Sequence, residues 1–182
     1  MTRNPPHWPK DIKYLRSCCF HSSVSSEYRA FLQTSTGLRT LVPKNSPPQV
    51  IIRCITDIVH PAHGQFGLFA QQKIHPKTHI LDYIGEIHTD QRQDSDYDLS
   101  LHRFQNGDSI GIDANSMGNE ARFINDYRGI QSRPNAEFLE YRTDSGELRI
   151  GIWARSEAIK KGDEILVSYG KSWWQAREMP QG

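Results

Sequence analysis

From Val50 onward the chain breaks into short alternating or β-branched apolar runs separated by turn residues. The runs are Ile51 to Val59, Phe66 to Ala70, His79 to His88, Leu99 to Leu101, Ile110 to Ile112, Phe138 to Tyr141, Leu148 to Trp153 and Ile165 to Tyr169. Runs of this length and residue type predict strands, so this part reads as a β-rich domain with few helices. Asp144-Ser145-Gly146 lies between two runs and predicts a hairpin, because Gly146 can take the positive φ that the turn needs. The only helix predicted here is short, near Asn115 to Phe123, with Asn115 or Ser116 as its cap. There is no internal repeat and no low-complexity tract.

The pattern is different before Val50. Residues 1 to 49 hold seven Lys or Arg against two acids and are interrupted by Pro5, Pro6, Pro9, Pro43, Pro47 and Pro48. They read as a basic, proline-containing N-terminal extension, with a marginal helix predicted over Ser26 to Leu32 and a boundary at Pro43 to Pro48. The expected organisation is an extension over 1–49, a domain over 50–170 and a short tail over 171–182 that carries Trp173 and Trp174.

Composition narrows the function classes. A chain of 182 residues is long enough to bury most of its unfolded surface in one domain. Its formal net charge of +1 argues against broad duplex binding through phosphate neutralisation and favours a basic peptide or a small molecule as ligand. Cys18, Cys19 and Cys54 make neither a disulfide framework nor a paired zinc motif, so no metal is expected and a reducing compartment is. No apolar run approaches the ~18 residues of a membrane span, and the start lacks a secretory core; a soluble intracellular protein is expected.

The densest chemistry lies in Gly118-Asn-Glu-Ala-Arg-Phe-Ile-Asn125, followed by Pro134-Asn135. Two carboxamides flanking a turn with Gly129 and Pro134 demand defined partners, since each both donates and accepts. Three further segments stand out: His63-Gly-Gln-Phe-Gly-Leu-Phe-Ala70, Tyr83-Ile-Gly-Glu86 and Gly162-Asp-Glu-Ile-Leu-Val-Ser-Tyr-Gly170. Taken singly, each has a plain reading: turn glycines at 64 and 67, packing tyrosines at 83 and 169, an Asx turn at Asn125.

As an ordered set over roughly residues 50 to 170, the four segments resemble the SET-domain family of protein lysine methyltransferases. The resemblance implies a β-rich fold of small sheets with a knot-like C-terminal threading, in which Asn125 to Asn135 passes beneath a loop near Tyr169. It implies S-adenosyl-L-methionine as methyl donor, S-adenosyl-L-homocysteine as product, and no metal. Tyr169 and Tyr83 are the implied catalytic residues, and together with Phe138 they line the substrate-lysine channel. Gln65, Phe66, Gly67, Tyr97, Arg122, Asn125, Asp126 and Trp173 are the implied cofactor-binding residues. Departures from the family pattern are Gln65 for the first glycine of Gly-x-Gly, Asp126 for the usual His, Tyr127-Arg128 for Ser-Cys, about four extra residues before Pro134, and Ser168 for an acid. No cysteine follows Cys54, so Trp173 and Trp174 are candidates to close the site in place of a zinc-binding flank; capping a core edge is their other reading.

These residue types suit the reaction. Methyl transfer from a sulfonium to an amine needs nitrogen, carbon and sulfur in line, which rewards positioning. A lysine of pKa ~10.4 must first lose its proton, about 4 to 5 kcal/mol at pH 7. An apolar channel favours that loss, tyrosine hydroxyls orient the neutral amine, and backbone carbonyls add weak C–H···O contacts to the methyl group. Phe138, which also reads as a plain core residue, lacks a hydroxyl and leaves room for di- or trimethylation. Asp82, Glu86, Asp90, Asp94, Asp96 and Asp98 face Arg92 alone in their stretch, which reads either as a solvated surface or as a field that steers a basic tail. A histone tail, H3 in particular, or a nucleosome is the expected partner, with nucleic acid touched only through it and the nucleus as location. The alternatives are a methyltransferase of a non-histone basic protein and a catalytically inactive SET domain that binds a peptide or partner protein.

Overall fold

The structure is a computed structural model, and it describes residues 4–34 and 48–170. The predicted N-terminal helix forms as α1 (Ser26–Gln33), capped by Ser25, whose Oγ accepts the Tyr28 N–H at 3.2 Å. Two short strands precede it, β1 (Lys13–Tyr14) and β2 (Cys19–Phe20). Trp8, Val24 and Leu32 join the same hydrophobic core as the later strands. The Arg142 guanidinium donates to the carbonyls of Phe31 and Leu32, giving the end of α1 the partners that helix C-termini lack.

The alternating runs fold into small sheets. β3 (Val50–Cys54) and β4 (Phe66–Ala70) pair antiparallel. The run predicted from Ile51 to Val59 is strand only to Cys54, because Asp57 accepts the Val59 N–H and the chain then makes successive turns to Gln65. The run predicted from His79 to His88 divides into β5 (His79–Asp82) and β6 (Glu86–His88), with Gly85 between them. A Cβ on Gly85 would lie 2.4 Å from the Asp113 carbonyl oxygen, so only glycine permits the chain to cross there.

That division feeds two sheets. β6 enters a four-stranded sheet with β2, β7 (Asp98–Arg103) and β8 (Ser109–Asp113), in the order β2-β6-β8-β7. Next along the chain come β9 (Met117–Gly118), paired parallel with β1, and β10 (Asn125–Asp126). β5 enters a three-stranded sheet with β11 (Ala136–Arg142) and β12 (Leu148–Ala154), in the order β11-β12-β5. Gly146, at φ 88°, sits in the predicted hairpin between β11 and β12.

The short helix expected near Asn115 to Phe123 is reduced to a 3-10 turn over Glu120–Phe123. Its cap is Asn119, whose Oδ1 also accepts the Ile84 N–H, while Met117 and Gly118 are drawn into pairing with β1. The non-local strand pair outcompetes the local cap.

The last strand among the described residues, β13 (Leu166–Val167), runs parallel to β10. On its other flank the Asn135 N–H donates to the Leu166 carbonyl, and the Asn135 side chain spans the same strand through the Leu166 N–H and the Glu164 carbonyl, at 2.8 and 2.7 Å. The two ends of the loop from Asn125 to Asn135 therefore grip the C-terminal strand between them, the crossing expected of the knot-like threading. Ile165, Leu166 and Val167 are fully buried there. Among the described residues, no helix is long and apolar enough to cross a membrane.

Candidate active site

Beside the paired β10 and β13 lies a cavity of about 590 Å³. Tyr169, two residues past β13, enters it. Its hydroxyl donates to the Ile124 carbonyl at 2.7 Å, and its backbone N–H donates to Asp126 Oδ2 at 2.8 Å. Tyr83, at the point where the chain leaves β5 for β6, is 5% exposed and donates its hydroxyl to the Tyr97 carbonyl at 2.7 Å. Phe138 of β11 meets the Tyr83 ring edge to face at 6.0 Å between centroids. All three line the cavity.

Both phenols stay protonated across the physiological range. Burial raises the Tyr83 pKa far above its ordinary value, and the neighbouring Tyr169 adds to this. Burial likewise raises that of Tyr169, reinforced by the Asp126 carboxylate. Since each hydroxyl hydrogen is directed to a main-chain carbonyl, each oxygen turns lone pairs toward other partners. The pair acts as acceptors without carrying charge.

Gln65, Phe66, Tyr97, Arg122, Asn125 and Asp126 line the same cavity. Arg122 donates from Nε to the Ala114 carbonyl and from Nη2 to the Asn115 carbonyl, and its guanidinium lies 4.2 Å from the centroid of the Tyr97 ring. It therefore holds the tyrosine whose carbonyl holds Tyr83. The Asn125 amide nitrogen donates to the Phe66 carbonyl and to Glu164 Oε1, at 3.2 and 2.8 Å, and its Oδ1 accepts no hydrogen bond among the described residues. Asp126 Oδ1 accepts the Arg128 backbone N–H, and Oδ2 accepts Arg128 Nη1 and the Tyr169 N–H. Asp126 thus ties β10 to Tyr169, two residues past β13.

Gly67 is not part of the lining. A Cβ there would lie 2.6 Å from Glu164 Oε1, so its role in this structure is to admit a buried carboxylate behind the site. Trp173 and Trp174 lie outside the described residues.

The sequence reading missed two participants. Glu164, 8% exposed, accepts from Asn125 and pairs with His60 Nε2 at 3.0 Å. Glu164 stands within the fourth motif segment, where its spacing from Tyr169 was a usable signal. Nothing in the local pattern marks His60, which sits just beyond a run that reads as strand.

The acidic stretch is also largely committed. Arg92 bonds Glu86 and Asp90 and reaches Asp113, while His88 bonds Asp98 at 2.9 Å. Asp82 accepts from His79, Tyr141 and Arg149, each at 2.8 Å. At least four of the six acids therefore have internal partners, but Arg92 is shared among Glu86, Asp90 and Asp113, and Arg149 between Asp82 and Glu147, so the stretch keeps a net negative charge.

A family model described as "SET domain" matches residues 65–170. Histone-lysine N-methyltransferase ASHH3 of Arabidopsis thaliana is 30% identical over 110 residues, covering 57% of this chain and 29% of that protein. Histone-lysine N-methyltransferase set-2 of Caenorhabditis elegans is 36% identical over 115 residues, covering 59% of this chain and 7% of that protein. The chain thus spans less than a third of the length of these curated relatives. Among solved structures, ATXR5 in complex with histone H3.1 superposes with a TM-score of 0.64 at 18% identity, over 88% of this chain and 82% of that one, a likeness of fold. The match of 65–170 spans the crossing, both tyrosines and the asparagine beside them: the chain belongs to the SET-domain family.

Proposed function

We propose that the chain is an S-adenosyl-L-methionine-dependent protein-lysine N-methyltransferase that acts on a histone tail, most specifically on H3, and reaches the di- and trimethyl states. One observation carries the reading: a single cavity is lined by Tyr83, Phe138 and Tyr169 and also by Phe66, Tyr97, Asn125 and Asp126. The histone-lysine methyltransferase names of its relatives support the substrate class. Nuclear location follows from that substrate.

The residues present fit the cofactor. Its size suits the cavity, which falls in the range of small-molecule sites. It carries an ammonium, from which Asn125 Oδ1 would accept a hydrogen bond, and an adenine, which the lining aromatics Phe66 and Tyr97 would help to hold. When bound, the cofactor supplies an electrophilic methyl group.

The chain's own residues do the rest. Tyr83 and Tyr169 accept N–H hydrogens from a neutral lysine amine, which leaves the nitrogen lone pair aimed away from them. Neither phenol ionises, so neither holds the amine as ammonium. Phe138 closes one wall without adding a hydrogen-bonding group, so a methylated amine meets no hydroxyl there. Apolar walls disfavour the charged amine and lower the cost of about 4 to 5 kcal/mol for its deprotonation.

The test is transfer of labelled methyl from S-adenosyl-L-methionine to core histones and nucleosomes, with mass spectrometry locating the modified lysine. Tyr169→Phe deletes an oriented acceptor, so labelling is expected to fall about a hundredfold or more. Cofactor binding without transfer to any histone would sink the histone reading and favour a non-histone basic protein or a catalytically inactive binding module. A Tyr169→Phe protein as active as its parent would overturn the roles assigned to the tyrosines.

A further inference from the structure

The segment Asp57 to Gln65 bounds the cavity, almost all of it before the matched family region begins. It is a series of turns: His60 N–H to Asp57 O, His63 N–H to His60 O, and Gln65 N–H to Ala62 O. Backbone bonds between Ile55 and both Gly64 and Gln65 close its base. Its outer side presents Ile58 and Val59, 81% and 79% exposed, so burial does not hold it. One side chain of the segment reaches inward to a charge. His60 Nδ1 accepts the Ala62 N–H at 3.0 Å, which leaves the ring hydrogen on Nε2, donated to Glu164 Oε2 at 3.0 Å.

Glu164 is buried, and a buried carboxylate requires donors. Each of its oxygens has a different one: Oε2 takes His60, and Oε1 takes the Asn125 amide at 2.8 Å. With its nitrogen donating to Glu164 and Phe66, the Asn125 carboxamide has one orientation, and Oδ1 is left to serve the cavity. Loss of the His60 donor leaves Glu164 short of a partner and free to turn, and Asn125 loses the anchor that fixes its flip.

We propose that His60 is a positioning residue for cofactor binding: through Glu164 it fixes the Asn125 carboxamide and pins the cavity-lining segment Asp57 to Gln65. This rests on the reading of the cavity as the cofactor site. His60 touches no reacting atom, so its effect falls on cofactor affinity and not on the chemical step.

Two substitutions separate the halves of the imidazole. In His60→Gln the amide nitrogen lies near the place of Nε2 and keeps the donor to Glu164, whereas in His60→Asn the side-chain oxygen lies near the place of Nδ1 and keeps only the local bond to Ala62. S-adenosyl-L-homocysteine and S-adenosyl-L-methionine are titrated into the full chain by calorimetry, with thermal unfolding of the unliganded proteins as a check of folding. His60→Asn is expected to weaken binding about tenfold, the scale of one lost charge-assisted hydrogen bond. His60→Gln is expected to stay within about threefold of the parent. At saturating cofactor kcat should be unchanged while KM for the cofactor follows the binding loss.

If the parent binds neither compound, the cofactor reading fails and this inference with it. If the parent binds and both variants, folded, bind equally well, the inference alone fails. If Asn restores binding and Gln does not, the local turn matters and the link through Glu164 is wrong. If neither variant folds, His60 is needed for the fold and its assignment as a cofactor-positioning residue is overturned.

Discussion

Replacing Asn135 by Ala tests the crossing that organises the site. The side chain donates to the Glu164 carbonyl and accepts from the Leu166 N–H, at 2.7 and 2.8 Å, and both residues are buried. Alanine removes both partners and leaves the Glu164 carbonyl and the Leu166 N–H without them. Each orphaned buried group costs about 1 to 3 kcal/mol, so the expected loss is about 3 kcal/mol. For a domain of this size, that lowers the thermal midpoint by about 6 to 12 °C. Asn135→Asp should lose more, because a carboxylate oxygen would face the Glu164 carbonyl where an amide now donates. Thermal unfolding followed by circular dichroism, without cofactor, reads both variants. Midpoints within about 2 °C of the parent for both, far less than the expected shift, would refute the clamp. Because Tyr169 follows β13 by two residues, methyl transfer measured well below the lowered midpoint should also fall.

Other expectations follow from the buried polar groups and the site walls. Burial pushes the Asp82 carboxyl up, but bonds from His79, Tyr141 and Arg149 outweigh it and hold its pKa below the ordinary value. Its contribution to stability is therefore complete above about 3.9 and is lost as pH falls through the lower folded value; parallel midpoint-versus-pH curves for the parent and Asp82→Asn would contradict this. Burial lowers the His88 pKa, but the bond and charge of Asp98 outweigh it and raise it, so this contribution is complete below about 6.5 and fades as pH rises through the folded value. The deficit of His88→Gln in thermal midpoint should shrink between about pH 6 and 9. Gly67→Ala places a Cβ against Glu164 Oε1 and should weaken cofactor binding several-fold, read by the same titration. Phe138→Tyr adds a hydroxyl beside Tyr83 and should confine the product to monomethyl-lysine, read by mass spectrometry.

The strands were legible because alternation reports burial on one face, and each apolar run contains or borders a strand of the fold. Where one run crosses between sheets was not legible. His79 to His88 reads as continuous, and its division at Gly85 depends on the backbone of Asp113, far along the chain. The helix near Asn115 failed for a similar reason, since the partner that claims Met117 and Gly118 is β1, near the start of the chain. At the site, Tyr83, Asn125, Asp126 and Tyr169 were legible through ordered motifs. The pairing of His60 with Glu164 joins positions 104 apart and has no local signature. The partners of the acids around Arg92 were not legible for the same reason, because the fold chooses them: Asp82 finds Arg149, and Asp98 finds His88.

The orientation of both tyrosines comes from the course of the main chain more than from charge. The Tyr97 carbonyl takes the Tyr83 hydroxyl, and Arg122 fixes that tyrosine by its ring. The Ile124 carbonyl takes the Tyr169 hydroxyl, and Asp126 takes the Tyr169 N–H. Ile124 and Asp126 bracket Asn125, so the phenol and the carboxamide beside it are held by one short segment, whose Asn125 and Asp126 in turn pair with β13. A movement of the crossing therefore carries acceptor, hydroxyl and carboxamide together. Asp126 is compatible with the site for this reason: its carboxylate is consumed in tying Tyr169 and Arg128. That role needs two acceptor oxygens, and a histidine side chain, with at most one acceptor nitrogen, would have to perform it differently.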